Sequence, residues 1–297
     1  MKKSIILFMV LSFILITSNS FAQKLAPYIK VGTSTKSIKE LSSEIKASLK
    51  SNDFIYLGQY TPEGNTNLKV IAFTSKPIMN TVLKVKDRGA LAAVLKVALI
   101  KKGNIVKISY LNPDYLFNAF LRANYDKHTV ALKKVSADLK STLSSYGSDF
   151  TGFGGEVSKS SLRKYHYKIM MPYFSDPIEL REFSSFTEGV KVIQNNLANK
   201  KGSTKKVYEL IFNKSKVAVF GVALTNKEEG EAKFLPIIGE ENVAAMPYQI
   251  ILQGNKATML HGKYALAVHW PELSMGTFMK IMSTPGDIED ALKELTK

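Results

Sequence analysis

Four histidines are the residues of this chain best suited to chemistry: His128, His166, His261 and His269. A metal site needs several ligands converging at about 2.0–2.2 Å, and His261 and His269 are the best pair, on neighbouring segments. The carboxylates upstream of them, Glu228, Glu229, Glu231, Glu240 and Glu241, are flanked by Lys227 and Lys233, which neutralise rather than support a cation. Their spacing follows no metal-ligand pattern. Cysteine is absent, which excludes thiol redox chemistry, thiolate metal sites and disulfides. No metal and no cofactor is expected.

Catalytic signatures are equally thin. The chain has no H-E-x-x-H, no G-x-S-x-G and no Walker A sequence. Gly152-Phe153-Gly154-Gly155 lacks the third glycine and the preceding apolar strand of a dinucleotide loop. A paired-carboxylate hydrolase would hold two acids about 5–9.5 Å apart. Asp114 and Glu272 are the pair to consider, but each reads as a first-turn helix acid, which the helix dipole already accounts for. No catalytic residue is assigned. A histidine general base at His261 or His269 is the enzymatic alternative, and it requires a Ser, Thr or acid within hydrogen-bond reach.

Binding chemistry is better represented. Trp270, the only tryptophan, lies in His269-Trp270-Pro271. An indole offers a broad apolar surface with one donor, which suits a pocket or an interface. Tyr110, Asn112, Tyr115 and Phe117 form what reads as the matching corner of the first half. The candidate ligand-binding residues are therefore Tyr110, Asn112, Tyr115, His261, His269 and Trp270, and an apolar pocket reached by Tyr110 or Trp270 is expected.

The elements that position these residues follow from periodicity and punctuation. Ser37-Ile38-Lys39-Glu40 is a capping box, followed by Ile38, Leu41, Ile45 and Leu49 at helical spacing, with a stop near Asn52. Strands are predicted over Ile29–Thr33, Phe54–Tyr60 and Leu68–Thr74, and a hairpin over Val94–Ile100 and Ile105–Tyr110 around Gly103-Asn104. Pro77–Lys86 is a weaker helix. Asn112-Pro113-Asp114 combines a side-chain cap, a proline at N1 and an acid in the first turn. Asp126 is expected to cap a further helix carrying Leu132, Val135, Leu139 and Leu143.

The second half repeats this plan. Ser185-Phe186-Thr187-Glu188 is a second capping box, Lys216–Phe220 echoes Lys69–Phe73, and Tyr248–Leu252 before Gly254-Asn255 echoes the first hairpin. His269–Leu273 is matched to Leu111–Tyr115. Several matches in one order argue an internal duplication. The stretch 148–164, rich in Gly and Ser, reads as a flexible linker. The organisation expected is α+β, with two tandem related domains at 23–147 and 165–297, each a twisted, mainly antiparallel sheet packed against helices.

The helix Ser37–Leu49, the strand Asp53–Tyr60 and the run Val94–Ile100, Gly103, Ile105–Tyr110, Asn112-Pro113 resemble the domain of unknown function 302 family. The resemblance covers about residues 28–146, with a more remote second copy at about 177–297. It implies a small α+β domain with helices against an antiparallel sheet, and implies no activity. The segment around His261-Gly262-Lys263 departs from it as an insertion.

Residues 1–22 read as a cleavable export signal: Lys2 and Lys3, an apolar run Ile5–Ile16, then Ser20-Phe21-Ala22. The run is too short to span a bilayer, which takes roughly 20 apolar residues, so a periplasmic or secreted protein without a membrane anchor is expected. Net charge is +16. Outside the cytoplasm such charge meets lipid head groups and acidic glycans rather than nucleic acid, and the lysines are scattered, as on a solvated surface. The function expected is non-enzymatic binding of a small apolar ligand or an envelope protein partner. A weaker reading is adhesion to anionic envelope polymers.

Overall fold

A computed structural model describes residues 23–297; the export signal expected at 1–22 lies outside the described residues. Strand β1 (Lys24–Leu25) and β2 (Tyr28–Ser34) lead into helix α1 (Ile38–Ser51). The capping box is present: Ser37 Oγ accepts from the Glu40 amide at 3.2 Å, and Glu40 Oε2 accepts from the Ser37 amide at 2.9 Å. Leu41, Ile45 and Leu49 are buried on one face, and Asn52 closes the helix. Then come β3 (Phe54–Tyr60), β4 (Leu68–Ser75), α2 (Lys76–Val82), β5 (Leu95–Lys102), β6 (Ile105–Leu111), α3 (Pro113–Leu121) and α4 (Thr129–Leu143).

The stretch read as a free linker joins the two halves, but it is built into the fold. It forms β7 (Gly152–Phe153), paired with β2, β8 (Val157–Ser158), paired with β1, and α5 (Lys159–Arg163). At the foot of this stretch Gly147 lies so close to β2 that a Cβ would sit 2.2 Å from the Val31 carbonyl oxygen. Here glycine allows backbone to touch backbone; it does not supply slack. Arg163 takes the Asp126 carboxylate at 2.6 and 2.8 Å, so Asp126 does not cap α4, whose N-cap residue is His128 without a side-chain bond.

The second half runs β9 (Ile178–Glu182), α6 (Phe186–Ala198), β10 (Thr204–Phe212), β11 (Val217–Leu224), α7 (Glu231–Ile238), β12 (Tyr248–Gln253), β13 (Lys256–Met259), α8 (Gly262–His269), α9 (Met275–Lys280) and α10 (Thr284–Glu294). The fold is α+β with two related sheet-and-helix units. The first sheet has the order β3-β4-β5-β6-β2-β7 and the second β10-β11-β12-β13-β9, all antiparallel. Without β7 the two orders are the same. Their irregularities also match. Val31 on β2 and Leu180 on β9 are left unpaired by bulges, as are Leu57 on β3 and Val207 on β10.

The units meet through equivalent parts. Edge strands β3 and β10 lie side by side, so close that a Cβ on Gly58 would stand 2.0 Å from the Val207 carbonyl oxygen. The 3-10 turn Gly89–Ala93 packs on β11 and β12, and the turn Glu240–Ala245 packs on β5 and β6. Such reciprocity is the signature of a two-fold interface. One continuous apolar core runs through both units.

Candidate functional site

Strand register settles which corners correspond. Two residues before the Val31 bulge Ile29 pairs with Tyr110, and two residues before the Leu180 bulge Ile178 pairs with Met259, so Tyr110 and Met259 correspond. The residue that opens the second corner is therefore His261, not Trp270. Asn112 Oδ1 accepts from the Asp114 amide at 3.1 Å, and His261 Nδ1 accepts from the Lys263 amide at 3.2 Å. Both side chains cap a helix in the same way, which corrects the match of His269–Leu273 to Leu111–Tyr115 and the reading of 261–263 as an insertion. Trp270 instead follows the last residue of α8, at the place that Leu121, the last residue of α3, holds in the first unit. Glu272 follows α8 in a turn and opens no helix. Asp114 does sit in a first turn, where it accepts from Tyr125 and Ser136, each at 3.2 Å.

The sequence-chosen residues are scattered across this boundary. Tyr115, equivalent to Tyr264, reaches over to α8 and donates to the Val268 carbonyl at 2.7 Å. Tyr165 donates to Ala267 at 2.7 Å and Tyr28 to His269 at 2.8 Å. The last carbonyls of a helix have no partner within it, and three tyrosines from outside α8 supply them. Tyr110 is buried on β6, away from Trp270, and burial followed by the charge of Asp114 pushes its hydroxyl up to about 12. The structure thus brings Tyr115, His269 and Trp270 together and leaves Tyr110, Asn112 and His261 apart.

An apolar notch opens beside Trp270. Its walls are Ala245, Met246, Pro247, Leu260, Ala265 and Leu266, with Tyr248 and His269 behind them, and it encloses about 30 Å³. Its origin lies in the repeat. Where the first unit has Leu116, Phe117 and Phe120, all buried, the second has Ala265, Leu266 and His269. Each substitution removes volume, and lost volume in a close-packed interior becomes space. Trp270 is buried, with its indole N–H 3.4 Å from the Gly239 carbonyl.

His269 is neutral here. Burial, followed by the charge of Lys96, lowers it to about 3, and its Nδ1 has no partner. Phe120 meets it edge-on at 6.1 Å. His166 Nε2 pairs with the Met171 carbonyl at 2.8 Å, and its ring stacks on Tyr173 at 4.1 Å. Among the described residues no histidine is hydrogen-bonded to a serine, threonine or carboxylate side chain. Nor do three or more His, Asp or Glu residues gather as metal ligands among them.

The burial of two ionisable groups escaped the sequence reading. Lys96, on β5, is 3% exposed; its ammonium donates to the Ala245 carbonyl at 2.9 Å, and burial lowers it to about 7. The available signal was a lysine inside the apolar run Val94–Ile100. Glu231, 1% exposed at the start of α7, accepts from Tyr60 and the Leu224 amide at 3.2 Å and from the Glu63 amide at 3.3 Å. Burial outweighs these bonds and raises it to about 8. Glu63 is raised to about 7, by burial and then by Glu240.

No helix among the described residues is long and apolar enough to cross a membrane. No protein-family model and no curated protein matches the chain. Among solved structures, it is similar to one from Bacillus stearothermophilus described as an uncharacterized conserved protein DUF302, at 15% identity and a TM-score of 0.33, over 39% of this chain and 93% of that one.

Proposed function

We propose that this is an exported, non-enzymatic binding protein whose Trp270 notch takes an apolar group. The observation that carries this reading is the notch itself, apolar-walled and placed against the only tryptophan at the junction of the two units. Size sharpens it. Pockets for whole small molecules run to about 300–1,000 Å³, and about 30 Å³ suits one aliphatic side chain or the end of an acyl chain. A buried apolar anchor of that kind is how partners seat hot-spot residues, which favours an envelope protein over a free ligand. The histidine-base alternative has no nucleophile–histidine hydrogen bond among the described residues to support it. Relation to the domain of unknown function 302 family belongs to the same proposal and rests on the residues between Ser37 and Pro113 that carry the resemblance.

The test is native mass spectrometry of protein purified from its own envelope, beside an Ala265→Leu variant that fills the notch. A retained partner or ligand on the wild-type protein, absent from the folded variant, is expected. Bare protein in both preparations would sink the proposal.

A further inference from the structure

Across the unit boundary from the notch, two arginines converge on a single phenylalanine. Arg88 and Arg122 place their guanidinium carbons 4.3 and 4.7 Å from the Phe174 ring centre. Phe120 and Tyr264 flank the same ring at 5.6 and 5.9 Å. Asp87 bonds both guanidiniums and is half exposed, leaving one positive charge uncompensated. Arg88 is 6% exposed and Tyr264 2%. Even so, Arg88 Nη1, Arg122 Nε and the Tyr264 hydroxyl are buried without partners. Desolvated N–H and O–H groups destabilise the fold until something accepts from them, and three of them gather around this one ring.

Backbone and repeat point the same way. Arg88 adopts φ 51, ψ 26, and Arg122 adopts φ 53, ψ −130, a combination in which only glycine is at ease. Strain of this kind gathers where a side chain must be held for a ligand. The second unit keeps neither arginine, with Glu241 and Pro271 at the corresponding positions. Phe174 arrives on the segment 164–177, whose turn exposes Ile169 and Met170 by 89% and 96%.

We propose that Arg88, Arg122 and Tyr264 form an anion-binding site for a small aromatic carboxylate, and that the Phe174 side chain holds the seat of its ring while the site is closed. The planar guanidinium fork matches a carboxylate, the surplus of one charge matches a monoanion, and both guanidinium carbons already stand within 4.7 Å of the centre of one six-membered ring. Entry of the ligand displaces the 164–177 segment.

Calorimetry with benzoate, benzyl alcohol and inorganic phosphate tests this on the wild-type protein, Phe174→Ala and Phe174→Ala/Arg122→Gln. Removing the resident ring is expected to tighten benzoate binding at least tenfold, with benzoate at least tenfold tighter than benzyl alcohol, and Arg122→Gln is expected to erase that preference. Equal binding of benzoate and benzyl alcohol to folded Phe174→Ala, phosphate binding as tight as benzoate, or no benzoate binding would each overturn the proposal. Should Phe174→Ala not fold, hydrogen exchange of the wild-type protein decides. Benzoate must speed exchange in 164–177, and unchanged exchange at saturating benzoate overturns the site.

Discussion

The two units share strand order, bulges and helix caps, yet they finish the same corner differently. In the first, Leu116, Phe117 and Phe120 fill the space between sheet and helix. In the second, Ala265, Leu266 and His269 leave a notch. One backbone plan therefore supplies a solid corner and an open one, and the smaller side chains at 265, 266 and 269 contribute to the difference. The ionisable groups are distributed unequally too: the first unit buries a base, Lys96, against the second, and the second buries an acid, Glu231, against the first.

The largest effect expected comes from breaking the solid corner. Phe117→Ala should cost about 3–5 kcal/mol, in the range of large-to-small core substitutions. Leu266→Ala, beside space that already exists, should cost less, nearer the ~2 kcal/mol end of its class. Urea unfolding of both variants measures this, and equal losses would mean that the two corners are packed alike.

Next in size is Glu231. Its folded pKa lies above the unfolded value, so the folded protein binds the extra proton. That stabilisation is complete below about pH 4.5 and is lost as pH rises through about 8. Glu231→Gln should flatten this decline and be more stable than wild type at pH 9 by roughly 2–4 kcal/mol. A variant whose stability tracks wild type across that range would show that the carboxylate is hydrated.

Lys96 should give the opposite slope. Its folded pKa is depressed, so stability is complete above about 10.5 and falls as pH drops through about 7. Lys96→Met should therefore be more stable than wild type at pH 6 by roughly 1–3 kcal/mol, with the gap closing towards pH 10. Thermal melts over that pH series check the sign. The smallest effect is expected from Ala265→Leu, which brings the second corner towards the first. Filling the notch should add about 0.5–1.5 kcal/mol and shift Trp270 fluorescence to the blue. Fluorescence that does not move would place the new side chain elsewhere.

Much of the fold was legible locally. The Ser37 and Asn112 caps, the strands and the Gly103 turn all fall where the residues put them, because capping and two- or 3.6-residue periodicity act over a few positions. The second capping box is half right: Ser185 accepts from the Glu188 amide, but Glu188 turns back to the Ser184 amide. The site was less legible. Trp270 and Asn112 both stand beside a helix and a proline, and sequence alone made them equivalent. Only the β9–β13 pairing, offset by the Leu180 bulge, assigns that place to His261.

The amino-acid sequence by itself determined the helix α1, the strands β2 to β6 and the Ser37 and Asn112 caps, since each depends on neighbours within about one turn or one hairpin. Tertiary structure decided what the long-range contacts control. It set which corner is hollow, which tyrosines satisfy the end of α8, that Gly147 serves contact rather than slack, and that Lys96 and Glu231 are buried. A polar side chain is buried or solvated according to what packs over it, and here the covering surface comes from the other unit.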